Sequence, residues 1–196
     1  ISRKMNRTSL LKRKETVWKM TSKITKMNLT KNKYYFEALD FYPYNLPDCL
    51  EALNYALSYD SEDADALCLM GRIHSEVLKN YEKAKEYFEE AMMFDVSNVN
   101  TPQYYIACLI ENEDFAKAEK LITYALKIKG MEKSTLGFYR AMISERRGSL
   151  KNALHFLKEA EKFCFTQCSL DLVQERKKFI KAKMPKKTSK NKKETK

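Results

Sequence analysis

Apolar residues in the middle of the chain recur in four columns. The first is Leu46, Tyr81, Phe115 and Leu150, and the second is Cys49, Ala84, Ala118 and Ala153. The third is Leu53, Phe88, Ile122 and Leu157, and the fourth is Ala56, Ala91, Ala125 and Ala160. Every column steps by 35, 34 and 35 residues. Within a repeat the columns lie three, four and three residues apart, which puts them on one face of an α-helix. Small residues alternate with large ones down that face. Neighbouring helices can therefore approach closely at the small positions and interlock at the large ones.

A second apolar helix precedes each of these, and the spacing predicts Ala66–Leu78, Gln103–Glu111 and Leu136–Arg147 as the clearest. The first repeat has a short first helix, because Pro43 and Pro47 break its linker. Elsewhere the joints are polar: Lys79-Asn80, Asn112-Glu113-Asp114 and Gly148-Ser149. Ser61 and Thr101 are expected to cap the helices that follow them, and Pro102 suits a first helical position. Residues Ser169–Lys183 carry a further apolar stripe of Leu170, Val173 and Ile180, flanked by Leu172 and Phe179. They read as a helix covering the last apolar face of a stack, with Ser169 as N-cap, Asp171 in the first turn and lysines near the end. A separate partner-binding helix is the alternative for this segment. The expectation is an all-α fold: an α-solenoid of stacked antiparallel helix hairpins with a C-terminal capping helix.

The best-defined repeat spans Ala64 to Asp95, with Leu67, Met70 and Gly71 on its first helix and Tyr81, Ala84, Phe88 and Ala91 on its second. This pattern resembles the tetratricopeptide (TPR) repeat, a 34-residue helix–turn–helix. Residues 112–128 and 146–163 repeat its second half, and the resemblance covers about four repeats over residues 34–165. The departures are specific. Gly71 is the only first-helix glycine at its position, the closing proline is replaced by Ser61, Val96, Gly130 and Phe165, and the connector before Tyr81 is long by a residue.

Charge divides the chain. Residues 1–33 hold eleven Lys/Arg and one acid, as do residues 176–196, while the stretch between has 15 basic residues against 24 acids. Residues 1–33 form a basic N-terminal extension, partly disordered or non-native. Its Leu10, Leu11, Val17, Trp18, Met20 and Ile24, interleaved with lysines, could form a basic amphipathic helix. The chain starts at Ile1, and Met27 could serve as a native start. Residues 34–184 are the expected repeat domain with its cap, and residues 185–196 a disordered basic tail. No apolar run is long enough to span a membrane.

The parts needed for catalysis are missing, and an enzyme is not expected. Four glycines and four prolines leave too few for a phosphate-binding loop, and no HExxH or Ser-His-Asp arrangement occurs. His74 and His155 are the only histidines, and they read as structural or solvated. Cys164 and Cys168 would share a face only if their turn stayed helical, and a zinc site needs about four ligands. Neither metal nor cofactor is expected. Five cysteines at irregular spacing read as reduced thiols in a cytoplasmic protein, with Cys49 in the core.

Function must then lie on surfaces. The TPR resemblance implies a concave groove lined by the first helices, where a peptide or a partner protein binds. On that alignment the groove residues are Tyr35, Leu39, Cys68, Arg72, Ser75, Glu76, Tyr104, Cys108, Glu111, Asn112, Phe138, Met142, Glu145 and Arg146. Tyr35, Tyr104 and Phe138 are the candidate aromatic anchors; the alternative is that they pack between helices. TPR domains that clamp the C-terminal carboxylate of heat-shock chaperones place lysine where this chain has Tyr35, Cys68, Tyr104 and Phe138, which argues against that role. A protein-interaction adaptor is the first reading. A nucleic-acid- or ribosome-associated protein, using the basic termini for weak nonspecific contact, is the second.

Overall fold

The computed structural model describes residues 33–185, and residues 1–32 of the basic extension and 186–196 of the tail lie outside them. Every element among the described residues is helical. The periodic columns explain why. Cys49, Ala84, Ala118 and Ala153 are fully buried, and so are Leu53, Phe88, Ile122 and Leu157. Ala56, Ala91, Ala125 and Ala160 are buried to 1% or less, whereas Leu46, Tyr81, Phe115 and Leu150 are half-buried at the helix starts. The fold is that of an α-solenoid, antiparallel helix hairpins closed by a capping helix.

The chain divides after Val96 into two compact units. The first holds α1 (residues 33–41), α2 (Leu46–Tyr59), α3 (Ala64–Arg72) and α4 (Tyr81–Phe94). Its core joins Ala38 of α1 to Leu53 and Ala56 of α2 and to Leu69, Met70 and Ile73. The one-residue irregularity of the connector before Tyr81 is taken up by a π-helical turn, Ile73–Val77, at the end of α3. There the Leu78 N–H reaches back five residues to the Ile73 carbonyl at 3.0 Å. Gly71 lets α3 and α4 close up, since a Cβ at that position would stand 2.8 Å from the Phe88 ring.

The second unit holds α5 (Asn100–Glu111), α6 (Phe115–Ala125), α7 (Lys133–Arg146), α8 (Leu150–Glu161) and α9 (Gln167–Lys183). Here Ala141 of α7 and Ala153, Leu157 and Ala160 of α8 pack with Val173 and Ile180 of α9. The expected apolar stripe of the capping helix thus seals the last hairpin. Leu172 and Phe179, about half exposed, stay outside it.

Helix starts differ from the expectation in three places. Asp63, not Ser61, caps α3: its Oδ1 accepts from the N–H groups of Asp65 and Ala66 at 3.1 and 3.3 Å. Ser61 sits in the preceding turn, too early to reach them. Thr101 is inside α5, and Asn98 Oδ1 instead takes the Asn100 and Thr101 N–H groups at 2.8 and 3.2 Å. The capping helix begins at Gln167 because Thr166 and Ser169 form a reciprocal capping box, which leaves Ser169 inside the first turn rather than at the N-cap. The three expected first helices of later repeats likewise start two or three residues earlier than their apolar periodicity shows.

Candidate partner-binding surface

In the first unit the expected groove residues come from α1 and α3. Arg72 lies over Tyr42, its Cζ 4.7 Å from the ring centroid, and its Nε is 3.2 Å from Glu76 Oε1. The Tyr42 hydroxyl donates to Glu76 Oε2. Tyr42 is not among the expected groove residues, although its 34-residue separation from Glu76 is one repeat, the signal that could have found it. Burial, and then that hydrogen bond to a carboxylate, raise the Tyr42 hydroxyl well above its usual range. The Tyr35 hydroxyl is pushed up to about 12, by burial first and then by the neighbouring charge of Asp65. Both rings are thus neutral, and their hydroxyls remain donors across the whole physiological range. Tyr35 and Leu39 are half-buried against the core, and Glu76 is exposed. Cys68 and Ser75 are buried, and the Ser75 hydroxyl donates to the Arg72 carbonyl at 3.2 Å.

In the second unit the corresponding helices are α5 and α7. Glu111 and Arg146 are exposed and bridge the two helix ends, Nη2 to Oε1 at 2.7 Å. Tyr104, Asn112, Phe138 and Met142 are half-buried, and Cys108 is 2% exposed. Phe138 also lines a small cavity of about 180 Å³ with Tyr139, Ser134 and Thr135 of α7 and Leu172 and Val173 of α9. Glu145 is placed elsewhere. Its side chain is 6% exposed and turns toward the capping helix, where Arg176 and Lys183 each approach a carboxylate oxygen at 2.8 Å.

The histidines and cysteines do not converge. His74 is buried and stacks on Tyr87 with centroids 5.3 Å apart, and its Nδ1 has no hydrogen-bond partner. Burial, helped by the charge of Lys83, lowers its pKa below the ordinary value. His155 is exposed beside Phe156. Cys164 lies in the non-helical stretch between α8 and α9 and Cys168 in the first turn of α9, so they do not share a helix face. Burial pushes the Cys49 thiol up. Among the described residues no three His, Cys, Asp or Glu side chains are grouped to hold a metal ion, and no helix is long and apolar enough to cross a membrane.

No protein-family model matches the sequence, and no curated protein matches it either. Among solved structures the chain is similar to pilF of Pseudomonas aeruginosa, at 18% sequence identity and a TM-score of 0.66, over 80% of this chain and 73% of that one. At that identity the likeness is one of fold. It accords with a TPR-like helical repeat, the fold of a TPR-containing protein.

Proposed function

We propose that the chain is a non-catalytic, cytoplasmic protein-interaction module. It holds a peptide or a partner protein against the first helices of its hairpins, α1 and α3 in one unit and α5 and α7 in the other. One observation carries this reading. In both units a polar bridge one repeat in span, Tyr42–Glu76 and Glu111–Arg146, links the ends of two neighbouring first helices. Half-buried aromatics stand on those same helices: Tyr35 in the first unit, Tyr104 and Phe138 in the second. Rigid aromatics partly shielded from water, rimmed by exposed charges, are the usual composition of an interface hot spot. The lining combines Tyr35, Leu39, Tyr104, Phe138 and Met142 with Arg72, Glu76, Glu111, Asn112 and Arg146. Five free thiols, three of them buried, suit a reducing compartment.

Selection of ligands from a displayed peptide library tests the reading. Selected peptides are expected to bind the wild-type chain and to lose about 2 kcal/mol or more with Tyr104→Ala plus Phe138→Ala. Deleting residues 185–196 is expected to change that affinity little at physiological salt. Full-strength binding by the folded double variant, with a salt slope that flattens on tail deletion, would favour the basic termini as the binding element instead.

A further inference from the structure

A second surface opens between α6, α7 and α8, a cleft of about 670 Å³. Its floor is apolar, with Leu126 from the end of α6, Leu136 from α7, and Phe156 and Phe163 from α8 and the turn after it. Lys133, Leu136, Gly137 and Arg140 line it from α7 at three- and four-residue steps. That stripe lies on the side of α7 opposite Phe138 and Met142. The cleft is therefore separate from the first-helix face.

Two cations stand over this floor. Lys133 Nζ is 5.5 Å from the Phe163 ring centroid, and Arg140 Cζ is 6.0 Å from that of Phe156. Neither makes an ion pair among the described residues. The single carboxylate lining the cleft, Glu159, is already engaged by Lys162 Nζ at 2.7 Å. His155 adds a third basic group at the edge. Leu126 and Phe163 of that floor remain 36% and 40% exposed, so apolar surface and positive charge are offered together.

The spacing says what would fit. Seven residues separate Lys133 from Arg140, about 10 Å along the α7 axis, with Leu136 between them. The two cations stand over different rings, Lys133 over Phe163 and Arg140 over Phe156. They match two carboxylates seven residues apart on one face of another helix, with apolar residues between them. We propose that this cleft docks an acidic amphipathic helix of a partner protein, its carboxylates at i and i+7 on Lys133 and Arg140 and its apolar face on the Leu126–Leu136–Phe163 floor. The chain's own termini have the wrong sign for this place, since residues 1–33 and 176–196 each carry eleven basic residues and one acid.

The test is fluorescence anisotropy with the full chain and a labelled amphipathic helical peptide bearing Glu at i and i+7 and Leu at i+3 and i+4. A peptide with Lys in place of both Glu serves as control. The Glu peptide is expected to bind, more weakly as salt rises, and the Lys peptide not to bind. Lys133→Glu with Arg140→Glu should cost about tenfold or more in affinity for the Glu peptide, and it should confer binding of the Lys peptide. Tyr104→Ala with Phe138→Ala should leave both results unchanged. Should the charge reversal unfold the chain by circular dichroism, Lys133→Gln with Arg140→Gln replaces it, with loss of Glu-peptide binding as the expected result. Equal affinity for the two peptides, or an unchanged affinity in a folded variant, would overturn the proposal. So would displacement of the peptide by a single-stranded oligonucleotide. Self-association that disappears with the charge reversal would replace the partner helix by a second copy of the chain.

Discussion

Glu111 on α5 and Arg146 on α7 are 35 residues apart in sequence and 2.7 Å apart in space. That separation is one period of the apolar columns, so the ion pair joins equivalent positions of successive repeats. Both side chains are partly exposed, and an ion pair in that setting contributes under about 1 kcal/mol to stability. Its value is positional. It marks two first helices lying side by side at their C-terminal ends, and it leaves charge on the rim of the face that carries Tyr104 and Phe138.

The capping helix depends on a buried carboxylate. Removing Arg176 and Lys183 strips both cations from the Glu145 carboxylate, only 6% exposed beneath them, whereas neutralising Glu145 leaves two cations that water already reaches. Arg176→Ala with Lys183→Ala should therefore destabilise the chain by about 2–3 kcal/mol, and Glu145→Gln by distinctly less. Urea denaturation of the two variants checks the order. Amide hydrogen exchange should show the loss concentrated in α9.

Gly137 sets how closely α7 approaches α8. A Cβ there would meet Ala160 Cβ at 2.9 Å and Ala160 Cα at 3.2 Å. Those atoms belong to or adjoin backbone and cannot swing aside. Gly137→Ala is expected to cost about 1–3 kcal/mol through overpacking, despite the better helix propensity of alanine. A thermal midpoint equal to that of the wild type would show that the crossing can relax.

His74 should make stability depend on pH. An unfolded histidine titrates near its ordinary value of 6.5, and burial together with Lys83 lowers the pKa in the folded chain. The unfolded state therefore binds the proton first as pH falls. The contribution is present above about pH 6.5 and is lost below it, as the pH falls toward the folded pKa. Thermal melts of the wild type should weaken from about pH 7 to pH 5, and His74→Phe, which keeps a ring against Tyr87, should reduce that slope. Identical slopes would exclude His74 as a source.

The second helices are legible in the sequence because their signal is local: small and large residues alternate on one helical face, and twelve of those sixteen column positions are buried to 1% or less. The first helices are less so. Their starts are set by Asp63 and Asn98, whose cap role depends on backbone geometry at the turn and not on apolar period. The TPR resemblance carries the groove assignment, and an alignment of helical positions cannot say which neighbour a side chain meets. Glu145 shares a face with Met142 by period, yet its partners Arg176 and Lys183 arrive from 31 and 38 residues away. Cys68 and Cys108 share the assignment and are buried. The cleft under Lys133 and Arg140 has no sequence signal, since it arises where three helices fail to fill the space between them.

The central claim is that partners are read by the first-helix face. Amide and methyl chemical-shift mapping of the isotope-labelled chain, titrated with a peptide selected from a displayed library, tests it most directly. The account predicts perturbations clustered on α5 and α7 at Tyr104, Glu111, Phe138, Met142 and Arg146, or on α1 and α3 at Tyr35, Leu39, Arg72 and Glu76. Perturbations confined to residues 1–32 and 186–196, with both helix pairs silent, would contradict it.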